Sequence, residues 1–312
     1  MKIELPDQYL LPLLVHAGGS EEKLQSFLDD MVHQVHSLII QKPNFKLTLE
    51  HKIQASEFIL EKAWRTFPPE SIALAWTGGK DSTLILWLLK NMLNRLNQPM
   101  PSIMLINEGE LFDEIVAFTQ YLSKKWKFSF EEVSNTDVLK QVKKVGDLVK
   151  IASLNTNNQK EILRLGYTKK TFPFEPESLV GNHLMKTVPQ NHYIKSQGKL
   201  ALITGIRWDE QQARAKETYF SPRGDDHTPT HTRIHAILHM TEKDIWDAHH
   251  KFEIPYCELY AKGFRSLGAK SSTTKNSDNP AWEQDLDHTS ERQGRNQDKE
   301  AIMQRLRDLG YM

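Results

Sequence analysis

The chain has 312 residues, enough for one large α/β domain with a smaller appendage. Lys+Arg and Asp+Glu each number 40, and this zero balance gives no reason to expect nucleic acid or a membrane surface as the main partner, although a local basic pocket stays open. The single cysteine, Cys257, excludes an internal disulfide, a Cys-only zinc site and a four-cysteine iron–sulfur cluster.

The opening MKIELPDQYLLPLLVHAGG carries no signal-peptide pattern, and no apolar run approaches the roughly 20 residues of a membrane span, so a cytoplasmic location is expected. Residues 20–41 show helical spacing (Leu24, Phe27, Leu28, Met31, Val32, Val35) after Ser20-Glu21-Glu22, and KPNFK ends the run. Residues 1–46 read as a helical N-terminal extension. A second helix is expected over 48–66. Residues 71–76 (SIALAW) then read as a buried parallel strand, 81–96 as a helix, 102–107 (SIMLIN) as a second buried strand and 111–127 as a helix. Residues 127–134 offer a third strand, and 200–204 (LALIT) a fourth. Between them, 135–198 looks less regular, punctuated by Pro173, Pro176 and Pro189. The alternation predicts a doubly wound, mainly parallel α/β sheet over 47–265. The polar tail, 266–312, reads as irregular chain lying on or near the active site, with a last helix at about 297–309.

The strongest local signal is Thr77-Gly78-Gly79-Lys80-Asp81-Ser82, set between a strand and a helix. Two glycines permit a tight turn and close approach of the backbone. The free N–H groups of the following helix, with its dipole, favour phosphate, while Lys80 adds a cation and Ser82 and Thr83 add hydroxyls. It is not a Walker A loop, because Asp81 follows the lysine, and the glycine spacing is wrong for a dinucleotide fingerprint.

TGGKDS resembles the SGGKDS signature of the PP-loop ATP pyrophosphatases, with Thr77 in the first position. Further runs narrow the resemblance to the branch holding the 3′-phosphoadenylylsulfate reductases and the small subunit of two-subunit sulfate adenylyltransferase. These are ITGIRWDEQQARAKE at 203–217 with TYFSPR after it, RIHAILHMT at 233–241, GFRSLG at 263–268 and SERQGR at 290–295. The resemblance runs from about residue 47 to the end. It implies ATP, with Mg²⁺, cut between its α and β phosphates, Thr77, Gly78, Gly79, Lys80, Asp81 and Ser82 around the phosphates, sulfate as the acceptor and a GTPase partner subunit.

Gly205 and Arg207 follow the fourth strand, where α/β sheets bind ligands. Arg207, Arg214 and Lys216 could neutralise phosphates or a sulfate-like oxyanion, for which the arginine fork is suited. Asp209 and Glu210 would oppose anions, so they are expected to orient the arginines or a Mg²⁺ shell. By resemblance, Arg265 belongs to a stretch that closes over the substrate anion; alternatively it caps the preceding helix. His227, His231, His235 and His239 recur every four residues, but Pro229 lies among them and RIHAILH reads as extended, so a shared metal face is not expected. Trp208 and Trp246 read as core.

Two departures matter. The iron–sulfur reductases of this branch carry cysteine pairs where this chain has Gly181-Asn182, and Ala269 with Ser272; no cluster is expected, and Cys257 reads as packing. Where the family it resembles usually has Asp-Thr-Gly or Asp-Thr-Ser near the adenosine, this chain has Asn107-Glu108-Gly109. The expectation is an ATP-dependent adenylyltransferase acting on an oxyanion, with Lys80, Arg207 and Arg214 as catalytic residues and Thr77 to Ser82, Asn107, Gly205 and Arg265 around the nucleotide. Adenylyl transfer to a flavin phosphate or a nucleic-acid base, thiol-dependent reduction, and an accessory protein that binds nucleotide without turnover are the alternatives.

Overall fold

Short runs of apolar residues become the centre of the sheet. In the computed structural model, which describes residues 48–210, 214 and 217–294, β1 is Ile72–Ala75, β2 Ser102–Ile106, β3 Glu131–Val133, β6 Ala201–Ile203, β7 Phe220–Arg223 and β8 His231–Ile234. The sheet order is β3-β2-β1-β6-β8-β7. Its strands pair in parallel except β7, which runs antiparallel to β8 at the edge. Ile72, Ala73 and Leu74 of β1 are fully buried, as a central strand covered on both faces requires. The chain builds one side of the sheet outward from β1 to β3 and then crosses back to β6. The order therefore reverses between β1 and β6, which opens a crevice at their carboxyl ends.

Three helices flank the sheet. α1, Leu49–Thr66, begins at Thr48, whose side chain accepts from the His51 N–H. α2, Lys80–Leu96, is apolar almost all round: Leu84, Ile85, Leu86, Leu88 and Leu89 are fully buried, so it is a core helix rather than a surface one. It stops at Asn97, which adopts the left-handed conformation. α3, Asp113–Trp126, ends the same way at Lys127. Trp76, just past β1, is fully buried; its Nε1 donates to Thr83 Oγ1 at 3.1 Å, tying the strand end to the first turn of α2.

The stretch expected to be irregular, 135–198, is instead an ordered insertion. It contains α4 (Thr136–Leu139), a hairpin of β4 (Leu148–Lys150) and β5 (Thr171–Pro173), and α5 (Thr156–Arg164). It closes with α6 (Leu179–Asn182), a π-helical turn over His183–Thr187 and α7 (Val188–Ser196). Val138, Val149, Ile162, Phe172, Phe174, Leu184 and Met185 give it an apolar cluster of its own. Its elements are three to nine residues long, too short for a periodic signal to show in sequence. RIHAILH also differs from expectation: it is extended only through Ile234, and turns follow. α8, Glu242–Lys251, starts with a reciprocal capping box between Thr241 and Asp244. No described helix is long and apolar enough to cross a membrane. The helices expected at 20–41 and 297–309 lie outside the described residues.

Of the four histidines, His231, His235 and His239 are buried and His227 is exposed. His231 Nδ1 bonds the Pro229 carbonyl at 2.7 Å, while its Nε2 is buried without a partner. His239 Nε2 bonds the Lys52 carbonyl at 2.9 Å, and Nδ1 lies 3.0 Å from the Tyr219 hydroxyl. Burial pushes both imidazoles down to about 4. A histidine whose folded pKa lies below its unfolded value of about 6.5 leaves the unfolded chain binding more protons as pH falls. These two sites therefore contribute stability that is complete above pH 6.5 and is lost as pH drops from 6.5 through 4. Urea unfolding at pH 7.5 and 5 is expected to show this loss, and His239→Gln to flatten the dependence by about 2 kcal/mol between those two pH values.

Candidate active site at the β1–β6 crevice

The loop after β1 and the loop after β6 meet across the crevice. Gly78 turns at φ 72°, and the loop is braced by Thr77 and Ser82, whose hydroxyls lie 3.1 Å apart. The Gly79 N–H donates to Thr77 Oγ1. Gly205 lies against the first turn of α2, where a Cβ would stand 2.9 Å from the Ser82 nitrogen. A side chain at 205 would push the two loops apart.

Through this contact the cations of the two loops enter one buried cluster. Lys80 Nζ donates to Glu291 Oε1 at 2.6 Å and to the Arg265 carbonyl at 3.1 Å, with Asp81 at 3.6 Å and Glu242 at 3.8 Å. Its ammonium also faces the Tyr260 ring. Arg207 donates through one terminal nitrogen to Asp81 and through the other to Glu291 Oε2, while its Nε donates to Asp209 at 2.9 Å. Lys80 and Arg207 are both almost entirely buried. One carboxylate, Glu291, thus receives a cation on each oxygen, one from each strand end.

Burial opposes the charge on Lys80, but Asp81 and Glu291 outweigh it and hold its pKa above the ordinary lysine value. Burial would raise the Glu291 carboxyl, yet Lys80 and Arg207 hold it well below the usual range. Glu242 moves the other way: burial and the neighbouring Glu291 charge raise it despite Lys80 and Arg265.

The surrounding residues are set by backbone contacts. The Lys80 N–H, in the first turn of α2, donates to the Tyr260 hydroxyl at 3.0 Å, and His249 Nε2 meets the Lys80 carbonyl at 2.9 Å. Asp209 bridges Arg207 and the α8 N-terminus, accepting from the Glu242 N–H at 2.8 Å. The carboxylates expected to orient arginines do so: Asp209 holds Arg207, and Glu210 pairs with Arg214 and also with Arg292. Arg265 faces Glu242 and the tail, donating from Nε to Glu242 at 2.9 Å and from its terminal nitrogens to the Asp285 carbonyl at 3.2 Å and the Thr289 carbonyl at 3.1 Å. Its guanidinium anchors the C-terminal segment.

Asn107 sits at the carboxyl end of β2, where its side chain bonds Glu132 at 2.8 Å and the Gly109 N–H at 2.8 Å. Both functional groups of Asn107 are thus used locally. The neighbouring Glu108 is buried and pairs with Lys186 at 2.8 Å; Lys186 also reaches Glu177 at 3.2 Å. At Gly181 a Cβ would lie 1.8 Å from the Glu175 carbonyl oxygen, so the backbone there has no room for a cysteine side chain. Cys257 is fully buried, and burial pushes its thiol up to about 11. Among the described residues no group of three His, Cys, Asp or Glu side chains is placed to hold a metal ion. Trp246 is core, and Trp208 packs against the core with its Nε1 donating to the Glu217 carbonyl. Lys216 lies outside the described residues.

Residue patterning in the sequence assigns no role to Tyr260, His249, Glu242 or Glu291. Their signal was only that GFRSLG and SERQGR flank the tail, because the contacts are made across more than 160 residues.

A Gly-Gly loop at a sheet switch point, facing buried cations from the neighbouring strand end, marks a PP-loop-type α/β fold. The phosphoadenosine phosphosulfate reductase domain family matches residues 71–275, and the chain belongs to that family. It is 27% identical over 224 residues to a probable FAD synthase of Caenorhabditis elegans, covering 72% of this chain and 34% of that protein, so it spans about a third of that relative's length. It is 24% identical over 202 residues to sulfate adenylyltransferase subunit 2 of Rhizobium tropici, covering 58% of each. In fold it resembles a single-site mutant of Candida glabrata FMN adenylyltransferase, with a TM-score of 0.52 and 17% identity over 79% of this chain and 73% of the other. It also resembles a Candida auris phosphoadenylyl-sulfate reductase, with a TM-score of 0.50 and 15% identity over 78% and 96%.

Removing Lys80 leaves Glu291 and Glu242 buried with one cation fewer. Lys80→Met is expected to destabilise the fold by about 3 kcal/mol, the scale for a broken buried pair. Adding Glu291→Gln is expected to return part of that loss; urea midpoints of the two single variants and the double variant measure the coupling.

Proposed function

We propose that this chain cleaves ATP between its α and β phosphates and transfers AMP to an oxyanion acceptor. The observation that carries the reading is the pair of buried cations, Lys80 and Arg207, brought by two adjacent strand ends onto a single oxyanion, the Glu291 carboxylate. In this reading ATP enters with Mg²⁺ as substrate. The acceptor oxygen attacks the α-phosphorus, the bond from that phosphorus to the bridging oxygen breaks, and pyrophosphate leaves with the electron pair. The protein supplies position and charge rather than a covalent intermediate. The Gly78-Gly79 turn and the α2 N-terminus face the leaving phosphates. Lys80 and Arg207 neutralise the charge that grows on pyrophosphate, and Asp209 fixes the plane of the Arg207 guanidinium.

Sulfate is the acceptor that the 203–223 motif run favours, and that reading brings a GTPase partner subunit with it. A flavin phosphate is the second reading, supported by the FAD synthase relative matched over 72% of this chain. Thiol-dependent reduction lacks a nucleophile, since the lone cysteine is buried with its thiol pKa raised.

The test is product formation from α-labelled ATP with Mg²⁺, supplied in turn with sulfate, with FMN and with neither. Labelled adenylyl-sulfate is the expected product; labelled FAD formed instead would move the acceptor to the flavin. Lys80→Ala, checked by circular dichroism to be folded, is expected to lower the rate about 100-fold, the scale for loss of one charge-stabilising donor. Turnover unaffected by that substitution would remove the loop from the chemistry.

A further inference from the structure

Within the crevice the cations Lys80, Arg207, Arg214, Arg265 and Arg292 are paired with the carboxylates Asp81, Asp209, Glu210, Glu242 and Glu291. The named groups carry no surplus positive charge. A polyphosphate brought among them meets cations already neutralised, and buried charge without a partner is costly. One of the carboxylates has to give way.

Glu291 is the one placed to do so. Asp81 lies in the first turn of α2, Glu242 in the first turn of α8, and Asp209 and Glu210 on the short turn after β6. Glu291 instead sits in a short turn of the C-terminal segment, Glu291–Gly294. That segment is anchored upstream, where Arg265 binds the carbonyls of Asp285 and Thr289. Beyond the anchor, consecutive residues of opposite charge enter matched clusters. Glu291 spans Lys80 and Arg207, and Arg292 donates from Nε to Glu210 at 3.1 Å. Glu291 offers two oxygens to two cations, as a phosphate or sulfate group would.

We infer that the Glu291–Arg292 turn is an autoinhibitory strap whose Glu291 carboxylate occupies the place of a nucleotide phosphate, so that ATP binds by displacing it. The inference rests on the nucleotide-binding reading above. Displacement exchanges one oxyanion for another on Lys80 and Arg207, and it parts Arg292 from Glu210. The strap therefore keeps the two cations compensated while the site holds no nucleotide, and ATP binding is weaker by the free energy needed to lift it.

Titration calorimetry with Mg²⁺ and the non-cleavable analogue AMPCPP tests this on the full chain. Glu291→Gln, which keeps the shape of the side chain and removes its charge, is expected to bind AMPCPP about ten-fold more tightly than wild type. Arg292→Gln loosens the strap without touching Lys80 or Arg207. It is expected to tighten binding in the same direction, and it carries the test if Glu291→Gln does not fold. In the wild type, AMPCPP is expected to speed tryptic cleavage after Arg292 several-fold. Binding to wild type with no gain in either variant overturns the strap alone, as does cleavage at Arg292 that AMPCPP slows or leaves unchanged. No binding to any of the three proteins overturns both the strap and the nucleotide-site reading beneath it.

Discussion

Two buried cations impose the strongest constraint on this molecule. Lys80 and Arg207 lie almost wholly out of water, and neither charge can persist there without a partner of opposite sign. Each is met by carboxylates from several chain segments: the first turn of α2, the loop after β6 and the C-terminal turn. The site and the packing of the tail are thus one problem. The sheet edge is closed over by the same ion pairs that would otherwise present bare cations to a ligand. Pairs of this kind seldom add much net stability, because desolvation offsets their attraction; they are better understood as fixing geometry.

That geometry is inherited from the fold. The reversal of strand order between β1 and β6 brings two loops together that are separated by more than a hundred residues. Gly205 lets the second loop touch the backbone of the first turn of α2, and the Trp76–Thr83 hydrogen bond holds that turn to the strand that delivers it. On the far side, Tyr260 and His249 bond the Lys80 backbone, so the segments after α8 and α8 itself position the loop as much as the loop's own sequence does. Aromatic contacts of Trp246 with Tyr260, Tyr256 and Trp282 carry this support outward to the tail.

The end of β2 and the insertion meet in the same region. Asn107 closes the end of β2 on itself through Glu132 and the Gly109 N–H, and Glu108 turns to Lys186 of the insertion. Lys186 is held between two carboxylates, Glu108 and Glu177, and is thereby charge-compensated. Glu108 thus joins the carboxyl end of β2 to the insertion by an ion pair. The insertion keeps an apolar cluster of its own, while Tyr193 and Ile194 of its last helix pack with Ala73, Met104 and Leu202 of the main sheet.

The local signals of the sequence determined much of this. The glycines, lysine and hydroxyls of residues 77–83, the apolar runs at 72–75, 102–106 and 201–203, and the helical spacing at 49–66 and 80–96 are encoded by neighbouring residues, so periodicity and turn chemistry expose them. They set the α/β class and the strand–loop–helix unit, and Asp209 and Glu210 could be matched to nearby arginines because they are close along the chain. The tertiary structure alone decided that Glu291 spans Lys80 and Arg207, that Arg265 spends its guanidinium on Glu242 and the tail, that Asn107 is occupied locally, and that 135–198 is an ordered unit. Each depends on a partner far off in sequence or on elements of a few residues, and the pairing of charges across such distances follows from which segments the buried sheet brings together, not from the order in which they occur.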